Sequence, residues 1–220
     1  MLELLVGMLI AMFSVMAMLS LFRTTSRVTA ESRVGAQQDG QLAAALLAAE
    51  QLLSQAGYVN AVASGVLPQP RYPDDLRLLQ RATPGGSAEP LLVLPASGAL
   101  TAASGAGQAL MWRSRDASGV YHYDGVYAPA SGGLWRLQGN SMDWAGWSVA
   151  APLLQPPTPT PAAAPDTGVV RLSLVPVAGG CQPYGLVSQA SGGRYLLRLA
   201  VPAYAGQQTV NSSICLMNFS

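Results

Sequence analysis

From Leu4 to Phe22 the chain reads LLVGMLIAMFSVMAMLSLF, nineteen residues without one charge. A helix of that length spans ~28 Å, close to the ~30 Å hydrocarbon thickness of a bilayer. Being apolar on every side, it must lie either in the middle of a large core or in lipid. A cleaved signal peptide has a basic leading region, a shorter apolar core and a small-residue cleavage site. Here Met1-Leu2-Glu3 precedes the run, and the first basic residues, Arg23, Arg27 and Arg33, follow it. The segment reads as a retained membrane anchor whose surface includes Leu4, Leu5, Val6, Met8, Leu9, Ile10, Phe13, Leu19 and Phe22. Taken alone, arginines on its C-terminal flank hold that flank on the cytoplasmic side.

Helix-forming sequence continues beyond the anchor. No proline occurs between Met1 and Leu67. Leu42, Leu46, Ala49 and Leu53 fall on one face at helical spacing, with Glu50 and Gln51 off it. Gly57 is placed to cap the helix C-terminus. Gly35 and Gly40 each cost up to about 1 kcal/mol against Ala, so the middle is the weaker part. The expected helix covers residues 1–57, ~85 Å long. Its first part, 1–22, is apolar all round, and 23–57 is an amphipathic continuation lying against a head formed by 58–220.

The head carries the pattern of a small antiparallel sheet. Strands are expected at Leu91–Leu94, Ala109–Arg113, Val120–Tyr127, Leu134–Gln138, Val169–Val175, Arg194–Val201 and Thr209–Met217, separated by Gly/Ser/Pro turns. Alternation is clear in Val170-Arg171-Leu172-Ser173-Leu174 and in Tyr195-Leu196-Leu197-Arg198-Leu199. There is no strand–helix–strand spacing, so the fold class is α+β, a long N-terminal helix packed on an antiparallel sheet. The stretch from Pro152 to Pro165, PLLQPPTPTPAAAP, holds six prolines and reads as an extended connector over 152–165. It divides the sheet region without leaving either part large enough to stand as a separate domain.

Little here points to catalysis, cofactors or metals. All 12 basic residues are arginine, set against 11 acidic ones, and the net charge of +1 excludes an ordinary strongly basic nucleic-acid binder. His122 is the only histidine, and no serine or cysteine near it has the setting of a nucleophile. Gly105-Ala106-Gly107 lacks the lysine and spacing of a phosphate loop. Asp74, Asp75, Asp116 and Asp124 fit no calcium-loop spacing, and salt bridges or solvated turns account for them. Trp112, Tyr121, Tyr123, Tyr127, Trp135, Trp144 and Trp147 are interleaved with Arg113, Arg115 and Arg136. Exposed, such residues hold single-stranded nucleic acid or grip surfaces. Strand alternation sends most of them into ordinary packing. Trp112, Trp135, Trp144 and Trp147 are the candidates for a surface-binding role.

Glu3 is the one charge at the edge of the anchor. It reads either as a headgroup-level charge favourable to the helix dipole or as a carboxylate that needs a cationic partner on another subunit. Together with the run LELLVGMLIAMFSVMAMLSLF it resembles the mature N-terminus of type IV pilins and pseudopilins. The continuation, with Gln37, Gly40, Ala43, Leu47, Ala56, Gly57 and Tyr58 in place, is similar to the PilW-type minor pilins. The resemblance covers residues 1–60. It implies a non-catalytic minor pilin that helps initiate or cap type IV pilus assembly through its N-terminal helix, with Glu3 neutralising an amine of a neighbour. A minor pseudopilin of a type II secretion system, or a pilus-displayed adhesin or DNA-uptake factor, follows from the same anchor. The implied partners are other minor pilins, the major pilin, the inner-membrane assembly platform and the prepilin peptidase. Nucleic acid is the weakest of them. The implied location is the inner membrane with a periplasmic head, then the pilus.

The family's glutamate stands fifth after a basic leader and here it stands third, so a leader ahead of Met1 is expected. Its charges would hold the N-terminus cytoplasmic and reverse the orientation read from the arginines. Cys181 and Cys215 then lie outside the reducing compartment. They read as buried thiols or as a disulfide; compartment favours the disulfide, worth about 3–4 kcal/mol in the chain-entropy account.

Overall fold

In a computed structural model of the chain the described residues are 2–58, 74–80, 82–83, 89–90, 108–156, 169–177, 181, 195–203 and 208–219. They belong to two compact units, Met1–Gly40 and Gln41–Ser220. Helix α1 runs unbroken over Leu2–Ser54. Ser14 Oγ donates to the Ile10 carbonyl, and Thr24, Thr25 and Thr29 donate likewise to Ser20, Leu21 and Thr25. Each hydroxyl is satisfied within its own helix, which lets the polar residues stand on an apolar surface without an unpaired group.

The helix ends where glycine permits it to. Gly57 has φ 70°, the left-handed conformation that closes helix C-termini and that side chains with a Cβ adopt at a cost. Ala56 N–H donates to the Leu53 carbonyl and Tyr58 N–H to that of Gln55, both at 3.1 Å.

Within the second unit the strands are β1 Leu76–Gln80, β2 Glu89–Pro90, β3 Gln108–Arg115, β4 Tyr121–Ala128, β5 Leu134–Gly139, β6 Ser148–Leu154, β7 Arg171–Pro176, β8 Tyr195–Pro202 and β9 Thr209–Leu216. They make two antiparallel sheets, ordered β2-β1-β3-β4-β5-β6 and β7-β8-β9. The α+β arrangement is the expected one. The expected strand at Leu91–Leu94 lies outside the described residues, as do the Gly105–Gly107 segment and residues 157–165 of the proline-rich stretch. Strands β1, β2 and β6 are additions. β1, LRLLQ, has no alternation to read. β6 includes Pro152, Leu153 and Leu154, so the first residues of the expected connector are sheet.

Alternation along the strands sorts the core into two layers. Leu78, Leu110 and Val126 stand in register across β1, β3 and β4, as do Leu76 and Trp112. This face shares one core with Leu172, Leu174, Leu197, Leu199, Ile214 and Leu216 of the smaller sheet and with Leu42, Ala49, Leu53 and Ala56 of the helix end. Ala109, Met111 and Leu137 point to the opposite face and pack with Leu79, Met142, Trp144 and Trp147. β3 is therefore covered on both sides, which explains its near-continuous burial. Gln108 joins the two sheets: its buried Oε1 accepts the Leu172 N–H at 3.0 Å.

The last strand is tied down twice. Cys215 on β9 is disulfide-bonded to Cys181. Beyond β9, Asn218 Nδ2 donates to the Ala56 carbonyl at 2.8 Å, and the Phe219 ring is fully buried. Replacing both cysteines by serine is expected to lower stability by about 3–4 kcal/mol, from the unfolded-chain freedom that a 34-residue loop restores. Denaturant midpoints of the oxidised and double-serine proteins measure it, and equal midpoints would show that the bond constrains nothing.

Candidate functional site

Three surfaces carry the residues singled out from the sequence. The first is the helix N-terminus. Glu3 lies in its first turn, and Leu4, Leu5, Val6, Met8, Leu9, Ile10, Phe13, Leu19 and Phe22 are all exposed. Among the described residues Glu3 has no ion-pair partner. The span is long and apolar enough to cross a membrane, with none of its most apolar window buried. Exposed Leu, Ile, Met and Phe over five turns are tolerable only against lipid or other helices. This segment is built as a membrane anchor.

The second surface is the aromatic face of the larger sheet, and here the structure corrects the expectation. Trp112, Trp144 and Trp147 are only 2%, 9% and 3% exposed, so they cannot offer their rings to a ligand. Trp112 belongs to the main core, where it meets Leu76 across the strand pair. Trp144 begins a short 3-10 turn, and its Nε1 donates to the Thr83 carbonyl at 2.8 Å. Trp147 lies flat on the strands: a Cβ at Gly139 would meet its ring at 2.6 Å, and one at Gly125 at 3.1 Å. Gly125 within β4 and Gly139 at the end of β5 are thus the seat of an indole rather than weak points of the sheet. Only Trp135, half-buried in the row Tyr127↔Trp135↔Pro152, keeps part of its ring accessible.

The third surface is the β3–β4 hairpin. Tyr121 is 43% exposed, with the Arg113 guanidinium 4.8 Å and that of Arg115 5.5 Å from its ring centre. Arg113 is also ion-paired with Asp75. Across the strands Arg136 Nη2 contacts Asp124 at 2.7 Å. Asp116 Oδ1 accepts hydrogen bonds from the Ser118 hydroxyl at 2.6 Å and from the Ser118 and Val120 N–H groups at 2.9 Å, while its Oδ2 lies 2.9 Å from His122 Nε2. The carboxylates considered for calcium are therefore largely spoken for: Asp75 and Asp124 by arginines, Asp116 by its own turn. Among the described residues no cluster suits a metal ion. Ser118, Asp116 and His122 are the residue types of a hydrolytic triad in the wrong order. The carboxylate sits between the other two, so this imidazole is not placed to take the serine proton. The Asp-x-Ser-Gly run is the sequence signature of such a turn.

The Ser118 hydroxyl, then His122 and the Val120 N–H, hold the Asp116 carboxyl well below the usual carboxylate range. A depressed folded-state value means the turn's contribution is complete above about pH 5, where the unfolded carboxyl is essentially all ionised, and is lost progressively as pH falls to the folded value. The Ser118 and Val120 amide resonances are expected to keep their hairpin positions at pH 3 and to move in more acid solution. Asp116→Asn should displace them at every pH. Movement centred near pH 4 in the native protein would show that the turn does not hold the charged form.

Comparison with protein-family models, with curated proteins and with solved structures returns no match.

Proposed function

We propose that this protein is a non-catalytic minor pilin that helps initiate or cap type IV pilus assembly through its N-terminal helix. The observation that carries the reading is one continuous helix, Leu2–Ser54, with a lone carboxylate in its first turn and exposed apolar side chains through Phe22. The far end of that helix sits in the core of an antiparallel, disulfide-bonded head. An anchor of this kind serves twice. In the inner membrane its apolar surface meets lipid, and in a filament the same surface meets the helices of other subunits. Transfer between the two costs little apolar burial, because lipid and packed helices solvate the side chains alike. Glu3 supplies the directional part, as the carboxylate that neutralises an amine on a neighbour once both are out of water. The head remains periplasmic and is carried to the surface.

Mass spectrometry of filaments sheared from cells tests this. Head peptides from the 108–154 region are expected in the filament fraction, far fewer than those of the major subunit. Absence from filaments, with protein secretion lost on deletion of the gene, would instead assign the chain to the pseudopilus of a type II secretion system.

A further inference from the structure

An edge strand presents unpaired N–H and C=O groups, and folded proteins blunt such edges with brevity, charge, proline, bulges or a covering element. Three of the four edges here are blunted. β2 includes Pro90, which has no N–H to offer a neighbouring strand. β6 contains Pro152, and its register with β5 slips between Leu134/Trp135 and Arg136/Leu137. β7 ends in Pro176 and is met from outside by Gln108, which accepts the Leu172 N–H.

Among the described residues β9 has none of these devices. Its eight residues include no proline and no charge, and its register with β8 is unbroken from Tyr195↔Leu216 to Pro202↔Thr209. The disulfide at Cys215 occupies its C-terminal end. At the other end Thr209, Val210, Asn211 and Ser213 are exposed. Among the described residues nothing hydrogen-bonds to the outer edge of this stretch.

The pleat beside that edge is charged with one sign. Register places Ser173, Arg198 and Ser213 in one row and Arg171, Ala200 and Asn211 in another, all on the face opposite the buried leucines. Arg171 and Arg198 are exposed, and among the described residues no carboxylate pairs with either.

We propose that the Thr209–Ser213 edge of β9 accepts an extended strand of a partner protein, and that this strand carries an acidic side chain in the row of Ser213 and Arg198. Backbone groups along the edge supply the attachment, and side chains at alternate positions supply the selection. An added strand lies ~10 Å from β8, within joint reach of an arginine and a glutamate. A second copy of this chain is a poorer occupant, because its own β9 would bring no carboxylate to the two arginines. The inference stands whether or not the chain is a pilin.

The test uses the full chain in detergent micelles and two synthetic peptides of about eight alternating valine and threonine residues, one with a central glutamate and one with a lysine. The glutamate peptide is expected to bind about twofold more tightly, as an exposed ion pair reaching across one intervening strand allows, and to slow amide exchange at Val210–Ser213. Arg198→Gln, at an exposed position, should abolish the preference and leave the fold intact. N-methylation of alternate peptide residues should abolish binding. Equal affinities, no binding at millimolar peptide, or protection elsewhere in the chain would overturn the proposal. So would a peptide-free dimer in sedimentation that protects β9.

Discussion

Phe219→Ala is expected to destabilise the head by about 3–5 kcal/mol, the range for deleting a fully buried aromatic ring. The ring is completely inaccessible and closes the core between the helix end and the smaller sheet. Its partner position makes the prediction specific. A Cβ at Gly57 would lie 2.5–2.9 Å from three atoms of that ring, so Gly57→Ala meets two obstacles at once. One is the left-handed backbone, at roughly 1–2 kcal/mol. The other is displacement of a ring with no free space around it, typically about 1–3 kcal/mol more. Removing Phe219 removes the second obstacle alone. In the Phe219→Ala background, Gly57→Ala should therefore cost only its backbone share, and the double-mutant cycle should be strongly non-additive. Denaturant unfolding followed by tryptophan fluorescence, with Trp112 in the same core, reads all four proteins. Additive costs would mean that the helix end and the chain's last residues do not meet.

Glu3→Ala should have the largest functional effect. On the proposed reading the carboxylate is paired with an amine in a water-free helix bundle. Taking away one member of a buried pair leaves the other charge uncompensated, at about 3–5 kcal/mol. That corresponds to a fall in incorporation of at least about a hundredfold, read as the amount of head peptide in sheared filaments relative to membranes. Glu3→Asp, which keeps the charge and shortens the arm, should restore part of it. The head is a separate compact unit from residue 41 onward, so its disulfide and denaturant midpoint should be unchanged in both variants. Native-like incorporation of Glu3→Ala would refute the pairing. Lost incorporation with a disturbed head would instead mean that the substitution acts through folding.

The fate of the tryptophans shows why a residue pattern is only half of a binding-site argument. Strand parity correctly puts Trp112 on the face opposite Met111, but parity says which residues share a face and not whether that face is covered. Both faces of β3 are covered, one by the helix end and smaller sheet, the other by the turn that carries Trp144 and Trp147. Gly125 and Gly139 read in isolation as weak strand positions; a Cβ at either would crowd the Trp147 indole, and at Gly125 it would also meet the Leu110 carbonyl oxygen at 2.7 Å.

What the sequence determined by itself is what rests on near neighbours along the chain. An uncharged run of nineteen residues with no proline is a membrane-length helix wherever it is placed, and alternating segments between glycine-rich turns pair antiparallel. The tertiary structure decided the contacts between distant segments. Asn218 caps a helix end 162 residues away, Gln108 ties β3 to a strand beyond the proline-rich stretch, and among the described residues β9 is the edge left without a guard. None of these leaves a local periodicity to read, because each depends on which surfaces meet once the strands have ordered, and side-chain burial is a property of the pair of surfaces.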